Sequence, residues 1–223
     1  MSQQLLTQGN LKIKCKKNVQ SFRLVRSKDH FPKDFCLKIA AQECPEEVTT
    51  LEILGEGDGP IPSTISRMEW LGPFNRIRKV FLSDIQLSSL ALDEQNFCAL
   101  EYVVLKNIRF QEITLEDFIQ TLPRQLKHLG LINCGPFCCE IKGPNDFLIE
   151  LEQLDLSKNQ LHELPPWIAT LARLKRLTLD GNQLKTLPLY LKQLPKLNHL
   201  SLDDNPFSEE TKGQIQRDFN LWF

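Results

Sequence analysis

The chain predicts an α/β solenoid of about eight stacked repeats. Their strands form one parallel sheet on the concave face, helical or 3₁₀ segments return along the convex face, and each end carries a cap. Three observations predict it. The string Leu-x-x-Leu-x-Leu-x-x-Asn occurs at Leu151–Asn159, Leu174–Asn182 and Leu197–Asn205, at a spacing of 23 residues. The connecting segments agree in register: Leu161, Leu164, Pro165, Ile168 and Leu171 are matched one period later by Leu184, Leu187, Pro188, Leu191 and Leu194. Weaker copies then continue upstream almost to the N-terminus.

At the N-terminal end, Leu11, Ile13 and Cys15 alternate with Lys12 and Lys14. That pattern suggests an edge strand within a cap over residues 1–18, since lysines on an edge discourage further pairing. The repeats run over residues 19–207. Val19-x-x-Phe22-x-Leu24 opens them and is followed by Phe31-Pro32-x-x-Phe35; Val48-x-x-Leu51-x-Ile53 is followed by Ile61-Pro62-x-x-Ile65. Ile77-x-x-Val80-x-Leu82 and Leu100-x-x-Val103-x-Leu105 keep the strand, but Ile85 and Ile108 stand where the Asn would be. Those isoleucines cannot hydrogen-bond through their side chains, so these turns must be satisfied in another way. From residue 126 the pattern is regular, beginning with Leu126-x-x-Leu129-x-Leu131-x-x-Cys134.

Within a repeat, Leu154 and Leu156 alternate with Asp155 and Ser157, the period of a strand with one face buried. Leu164, Ile168, Leu171 and Leu174 recur at three and four residues, the period of a helical or 3₁₀ return. Pro165 and Pro188 suit the start of that return, where a missing N–H costs little. Residues 208–223 read as a C-terminal capping helix. Ser208 is its N-cap, Glu209 and Glu210 lie in its first turn, and Ile215, Phe219, Leu221, Trp222 and Phe223 cover the last leucines. One domain over residues 1–223 is expected, with no linker dividing it.

The motifs resemble the leucine-rich repeat family in its intracellular LPxxI form, closely over residues 126–207 and loosely over 19–125. The resemblance implies that Asn159, Asn182 and Asn205 form an internal ladder, a structural role. It also implies that the residues flanking the two inner leucines point outward from the concave sheet. Repeat stacks of this kind present surfaces more often than they build catalytic pockets.

Composition excludes several classes. The chain has 223 residues, 41% hydrophobic content and a net charge of −1, which argues against a general nucleic-acid binder. The first 40 residues carry nine Lys or Arg against Asp29 and Asp34. They read as a solvated edge strand and loop, with a contact to an acidic partner as the alternative. No signal peptide and no membrane-spanning run is evident. The seven cysteines (Cys15, Cys36, Cys44, Cys98, Cys134, Cys138 and Cys139) are odd in number and lack Cys-x-x-Cys pairing. The expectation is a reducing, cytoplasmic or nuclear setting.

No catalytic constellation emerges, and the chain is expected not to be an enzyme. Cys134, Cys138 and Cys139 lack the paired spacing of a zinc site, and His30, His128, His162 and His199 are scattered over different repeats. Gly55, Gly57 and Gly59 lie in a Gly-Glu-Gly-Asp-Gly-Pro turn that lacks the lysine of a phosphate loop. No cofactor, metal, membrane, nucleic acid or small-molecule substrate is expected.

The outward rows are informative. The central row is Arg23, Glu52, Phe81, Val104, Gly130, Asp155, Thr178 and Ser201; its neighbours include Tyr102, His128, Arg176 and His199 on one side. Leu54, Lys106, Ile132, Asp180 and Asp203 lie on the other. Leu54, Phe81, Tyr102, Val104 and Ile132 make an apolar break in a polar face, and Asp155, Arg176, Asp180, His199 and Asp203 form its charged, mostly acidic flank. These ten are the candidate partner-binding residues. The expected function is a scaffold or adaptor that binds a protein partner, acting as a monomer or within a hetero-complex. The alternative is a regulatory or substrate-recognition subunit of a larger assembly such as a ubiquitin ligase.

Overall fold

The computed structural model describes residues 13–14, 21–25, 36–40, 48–55, 63–65, 67–71, 73–87, 90–110, 115–135 and 147–220. Its backbone forms strands β1 (Ile13–Lys14), β2 (Ser21–Val25), β3 (Cys36–Ala40), β4 (Thr50–Leu54), β5 (Ser63–Ile65), β6 (Arg67–Leu71) and β7 (Lys79–Ser83). Strands β8 (Ile85–Leu87), β9 (Tyr102–Lys106), β10 (Arg109–Phe110), β11 (His128–Ile132), β12 (Gln153–Asp155), β13 (Arg176–Thr178) and β14 (His199–Ser201) follow. Helices are α1 (Leu115–Thr121) and α2 (Glu209–Phe219), with 3₁₀ turns at Pro166–Thr170 and Leu189–Gln193.

One sheet of nine strands runs the length of the stack in the order β1-β2-β4-β7-β9-β11-β12-β13-β14. Strand β1 lies antiparallel to β2 at the leading edge, Ile13 opposite Leu24, where the cap strand was expected; Leu11 and Cys15 lie outside the described residues. The remaining pairings are parallel. A single row of Cα partners joins Ser21, Thr50, Lys79, Tyr102, His128, Gln153, Arg176 and His199. Because a slip of one residue would turn every leucine to the other face, burial pins this register. The inward residues from Leu51 and Ile53 through Val80, Leu82, Val103, Leu105, Leu129, Leu131, Leu154, Leu156, Leu177 and Leu179 are all 3% exposed or less. Each such side chain stabilises the stack by about 1.5–3 kcal/mol relative to exposure. The sequence-derived strand register thus holds upstream of residue 126 as well as downstream.

The return segments differ between the two halves. Downstream they are 3₁₀ turns that begin directly after Pro165 and Pro188, burying Ile168, Leu171 and Leu191 against the sheet. Helix α1 packs in the equivalent place in the preceding repeat and buries Phe118 and Ile119. Further upstream the returns contain extended chain: β3 pairs with β6, and β8 pairs with β5 and β10, all parallel. Sequence periodicity predicts helical or 3₁₀ returns and misses these strands. The longer upstream repeats (Ser21 to Thr50 and Thr50 to Lys79, against Arg176 to His199 downstream) leave room for a second ladder. The Pro32 and Pro62 segments lie outside the described residues.

The turns after the concave strands follow the same division. Asn182 Oδ1 accepts from the N–H groups of Asn159 and Leu161 at 3.0 and 3.1 Å, and its Nδ2 donates to Leu156 and Leu179 carbonyls at 3.0 and 2.7 Å. Asn159 accepts from Cys134 N–H and donates to Leu131 O; Asn205 accepts from Leu184 N–H and donates to Leu179 and Leu202 carbonyls. This is the ladder the repeat motif implies. Cys134 continues it weakly, its thiol donating to Leu105 O at 3.4 Å. Where Ile85 and Ile108 stand in the slot, both are buried. Ile85 opens β8, and Ile108 directly precedes β10, so strand pairing satisfies the backbone there. One place earlier, Asp84 and Asn107 take left-handed φ values of 58° and 54°, as Asn133, Lys158 and Gly181 do in the following repeats, and Asn107 Nδ2 donates to Asp84 Oδ1 at 2.6 Å.

At the far end Ser208 caps α2, accepting from Thr211 N–H at 3.1 Å, and Asn220 closes it with left-handed φ. Ile215 and Phe207 are buried beneath it; Leu221, Trp222 and Phe223 lie outside the described residues.

Candidate functional site

Parallel pairing in register sets outward residues of successive repeats about one strand spacing, roughly 4.8 Å, apart. Aromatic side chains in adjacent repeats must therefore meet. Phe81 and Tyr102 lie with ring centroids 5.2 Å apart and tilted by 43°. Tyr102 and His128 stack at 3.9 Å and 7°. The Lys79 ammonium sits 5.8 Å from the Tyr102 ring centroid, a cation–π arrangement, and His128 Nδ1 meets Gln153 Oε1 at 3.0 Å. A continuous belt Phe81–Tyr102–His128–Gln153 thus crosses four repeats.

Val104, Leu54 and Ile132 border this belt. All five apolar candidates are partly exposed on the concave face and none is core. Burial acts on the titrating members. It pushes the Tyr102 phenol up, with the Asp155 carboxylate adding to the effect. It lowers the His128 imidazole, against the opposing pull of Gln153 and Asp155. Burial thus favours the neutral form of the stacked His128 ring.

The charged flank is more committed to structure than its composition suggests. Asp155 Oδ1 accepts from both the N–H and hydroxyl of Ser157. Asp180 Oδ1 accepts from Ser201 Oγ at 2.7 Å and from Asp203 N–H at 2.9 Å. Arg176, His199 and Asp203 are exposed. Beside the rows, Arg78, Glu101, Lys127, Glu152 and Lys175 alternate in sign along one edge of the sheet, with Lys127 to Glu101 at 2.9 Å and Lys175 to Glu152 at 2.8 Å.

Sequence reasoning placed Lys79, His128 and Gly130 on the outward rows without assigning them to the site. The contacts above bring Lys79 and His128 against the candidate Tyr102, whereas Gly130 is buried beside Val104.

Among the described residues no group of three His, Cys, Asp or Glu is arranged to hold a metal ion; Cys138 and Cys139 lie outside them. Cys134 is buried and its thiol is pushed up to about 12 by burial, the opposite of an activated nucleophile. No described helix is long and apolar enough to cross a membrane.

Residues 148–207 match the leucine rich repeat family. Solved structures extend the likeness in fold. Listeria monocytogenes InlP is 23% identical with a TM-score of 0.50, covering 72% of this chain and 43% of its own. Human 5T4, also called Wnt-activated inhibitory factor 1 or trophoblast glycoprotein, is 18% identical with a TM-score of 0.52, covering 92% of this chain and 84% of its own. A Leptospira interrogans leucine-rich repeat protein is 22% identical with a TM-score of 0.47, covering 78% and 54%. The chain thus spans about half the length of the two bacterial proteins. No curated protein matches the chain. The repeats, the sheet topology and the likeness to InlP and 5T4 make the fold a leucine-rich repeat solenoid.

Proposed function

We propose that the chain is a non-enzymatic protein-interaction module whose concave sheet binds a protein partner. The observation that carries this reading is the belt of Phe81, Tyr102 and His128 with Val104 and Ile132 beside it, a contiguous apolar and aromatic surface on an otherwise polar face. Rigid aromatic anchors within a polar rim are where binding energy concentrates, and a curved parallel sheet is the surface such solenoids offer. The ten candidate residues belong to this surface in our reading, with Asp155 and Asp180 also serving the turns they brace.

A reducing compartment suits the chain, since Cys98 and Cys134 are both free thiols. We read the LPxxI repeats as the intracellular kind on the same ground.

The test is the double substitution Phe81→Ala with Tyr102→Ala, compared with wild type in affinity capture from extract of the source cells. Wild type retains a stoichiometric protein partner and the variant does not, while its thermal melting stays close to wild type because both rings are partly exposed. Capture that survives the double substitution, or a variant that fails to fold, counts against the reading.

A further inference from the structure

We infer that the outer edge of β14 is a docking site of its own, which takes an extended segment of a partner protein as one more strand running parallel to the stack. It is separate from the concave face and stands without it.

Strand β14 ends the sheet order, and among the described residues no strand pairs with its far side. Three rows of backbone bonds cross the stack and each stops there. In the first, a carbonyl before each concave strand accepts two consecutive N–H groups of the following repeat; the last is Lys175 O, which takes those of Asn198 and His199, both at 3.0 Å. In the second, Leu156 N–H donates to Thr178 O and Leu179 N–H to Ser201 O, both at 2.9 Å. The third is the row of left-handed residues, ending with Gly181 N–H on Asp203 O at 2.8 Å. The next groups in these rows are Asn198 O, Leu202 N–H and Asp204 N–H. Among the described residues none of the three has a hydrogen-bond partner.

The side chains at this edge are open too. Leu197 and Leu200 hold the positions at which Leu151, Leu154, Leu174 and Leu177 are 1% exposed or less, yet both are only half-buried. Helix α2 leaves them so: the Lys192–Asp218 pair, at 3.1 Å, anchors it at the 3₁₀ turn Leu189–Gln193 on the return side. The two ends of the sheet also differ in sequence. The leading edge carries Lys12 and Lys14, which discourage pairing, whereas β14 reads His-Leu-Ser with no such charge.

The edge sets the direction of its occupant. A parallel strand draws on Asn198 O, on both backbone groups of Leu200 and on Leu202 N–H, as β14 itself draws on β13. An antiparallel strand would also need Asn198 N–H, which is bonded to Lys175 O, and would meet a Leu202 carbonyl that already accepts from Asn205 Nδ2 at 2.9 Å. This argues against a second copy as occupant. Stacked head to tail, a copy would bring β1, which runs antiparallel to β2; joined about a two-fold axis, it would set β14 antiparallel to itself. An extended segment of another protein meets the requirement, its backbone supplying affinity and its alternate side chains specificity. Exposed Lys196 lies at one end of the edge and exposed Asp203 and Asp204 at the other. The occupant is therefore selected by alternating apolar residues, which complete the cover of Leu197 and Leu200, and not by net charge.

The probe is a displayed library of random dodecapeptides, selected against the full chain. Enriched peptides are titrated against wild type, Leu200→Lys and the Phe81→Ala, Tyr102→Ala pair. Amide exchange at Leu202 and Asp204 is followed by NMR with and without peptide. Enriched peptides alternate apolar and polar residues, slow exchange at both amides and keep their affinity for the aromatic pair. Leu200→Lys weakens them by about tenfold or more, because an inward-pointing charge on an edge strand opposes pairing. N-methylation of the peptide residues that face β14 abolishes binding, and N-methylation on the opposite edge does not. Peptides that need Phe81 and Tyr102 and leave both amides exchanging freely overturn the edge site while the concave-face reading stands. A library that yields no peptide protecting the two amides overturns it as well. Amides protected already in the free chain, or only as its concentration rises, put the chain itself or a second copy on the edge and overturn the partner segment. If Leu200→Lys fails to fold, the exchange and N-methylation arms decide, since both use the wild-type chain.

Discussion

The two halves of the stack solve the same problem by different means. Downstream, Asn159, Asn182 and Asn205 bond backbone groups of their own and adjoining repeats. Upstream, that slot holds a buried isoleucine, and the backbone beside it is satisfied by strand pairing in β5, β8 and β10. The downstream solution is carried by side chains and repeats with a strict period. The upstream solution is carried by backbone, tolerates longer repeats, and frees the sequence to vary. The aromatic belt sits where upstream irregularity meets downstream order, which is where a surface can depart from the repeat while its strands stay in register.

The strongest way to break this contrast is to exchange the slots. Asn182→Ala leaves Asn159 N–H, Leu161 N–H and the Leu156 carbonyl without the partner it supplies, and should cost on the order of 3 kcal/mol in denaturant unfolding. Ile108→Asn should cost a comparable amount, because its neighbourhood is packed for an aliphatic side chain. If Ile108→Asn is neutral, the upstream turns accept the ladder and the contrast collapses.

Gly55 tests the upstream half alone. A Cβ there would lie 1.9 Å from Asp84 O, so Gly55→Ala should destabilise by about 1–3 kcal/mol through overpacking. Hydrogen exchange should then show the loss of protection concentrated in β4 and β7, with β12 to β14 little changed; a uniform loss would mean the halves are one cooperative unit.

Cys134 stands at the junction and sharpens the contrast through pH. Its thiol ionises near 9 when unfolded and only at about 12 when folded. Between those values the unfolded chain releases a proton that the folded chain keeps, so stability should fall as pH rises above about 9. At pH 8, alkylation followed by peptide mapping should label exposed Cys98 well before Cys134. Equal labelling would mean that the junction opens locally.

The smallest effect belongs to the charged edge. Glu101→Gln removes the negative charge from the 2.9 Å pair with Lys127 and should change stability by only about 0.5 kcal/mol, vanishing in high salt.

Much of this was legible in sequence, and for a physical reason. Alternation of apolar and polar residues fixes which face is buried, so Phe81 and Val104 could be assigned outward from Val80, Leu82, Val103 and Leu105 alone. The asparagine ladder was legible because a repeated buried amide admits few explanations. The upstream strand returns were not, because β8 and β10 are two or three residues long and their pairing is with distant neighbours. Nor was the stack of Tyr102 on His128, which depends on rotamers chosen in three dimensions. The side-chain bond between Asn107 and Asp84 was hidden by reading Ile85 and Ile108 as losses.

The N–H groups of Asp84, Asn107, Asn133, Lys158 and Gly181 each donate to a carbonyl of the next repeat, and all of these bonds run the same way. At this row every unit is therefore a donor on one side and an acceptor on the other, like a link with a hook and an eye, while a second row (Glu101, Lys127, Glu152, Lys175 and Asn198) donates the opposite way. Excising residues 176–198 would join Lys175 to His199 and bring β14 against β12 with every hook still facing an eye. Removing one residue more would turn each following leucine to the wrong face. Length in this protein is thus quantised: it can gain or lose whole links, and evolution or an engineer can lengthen the curved face in steps without redesigning either end.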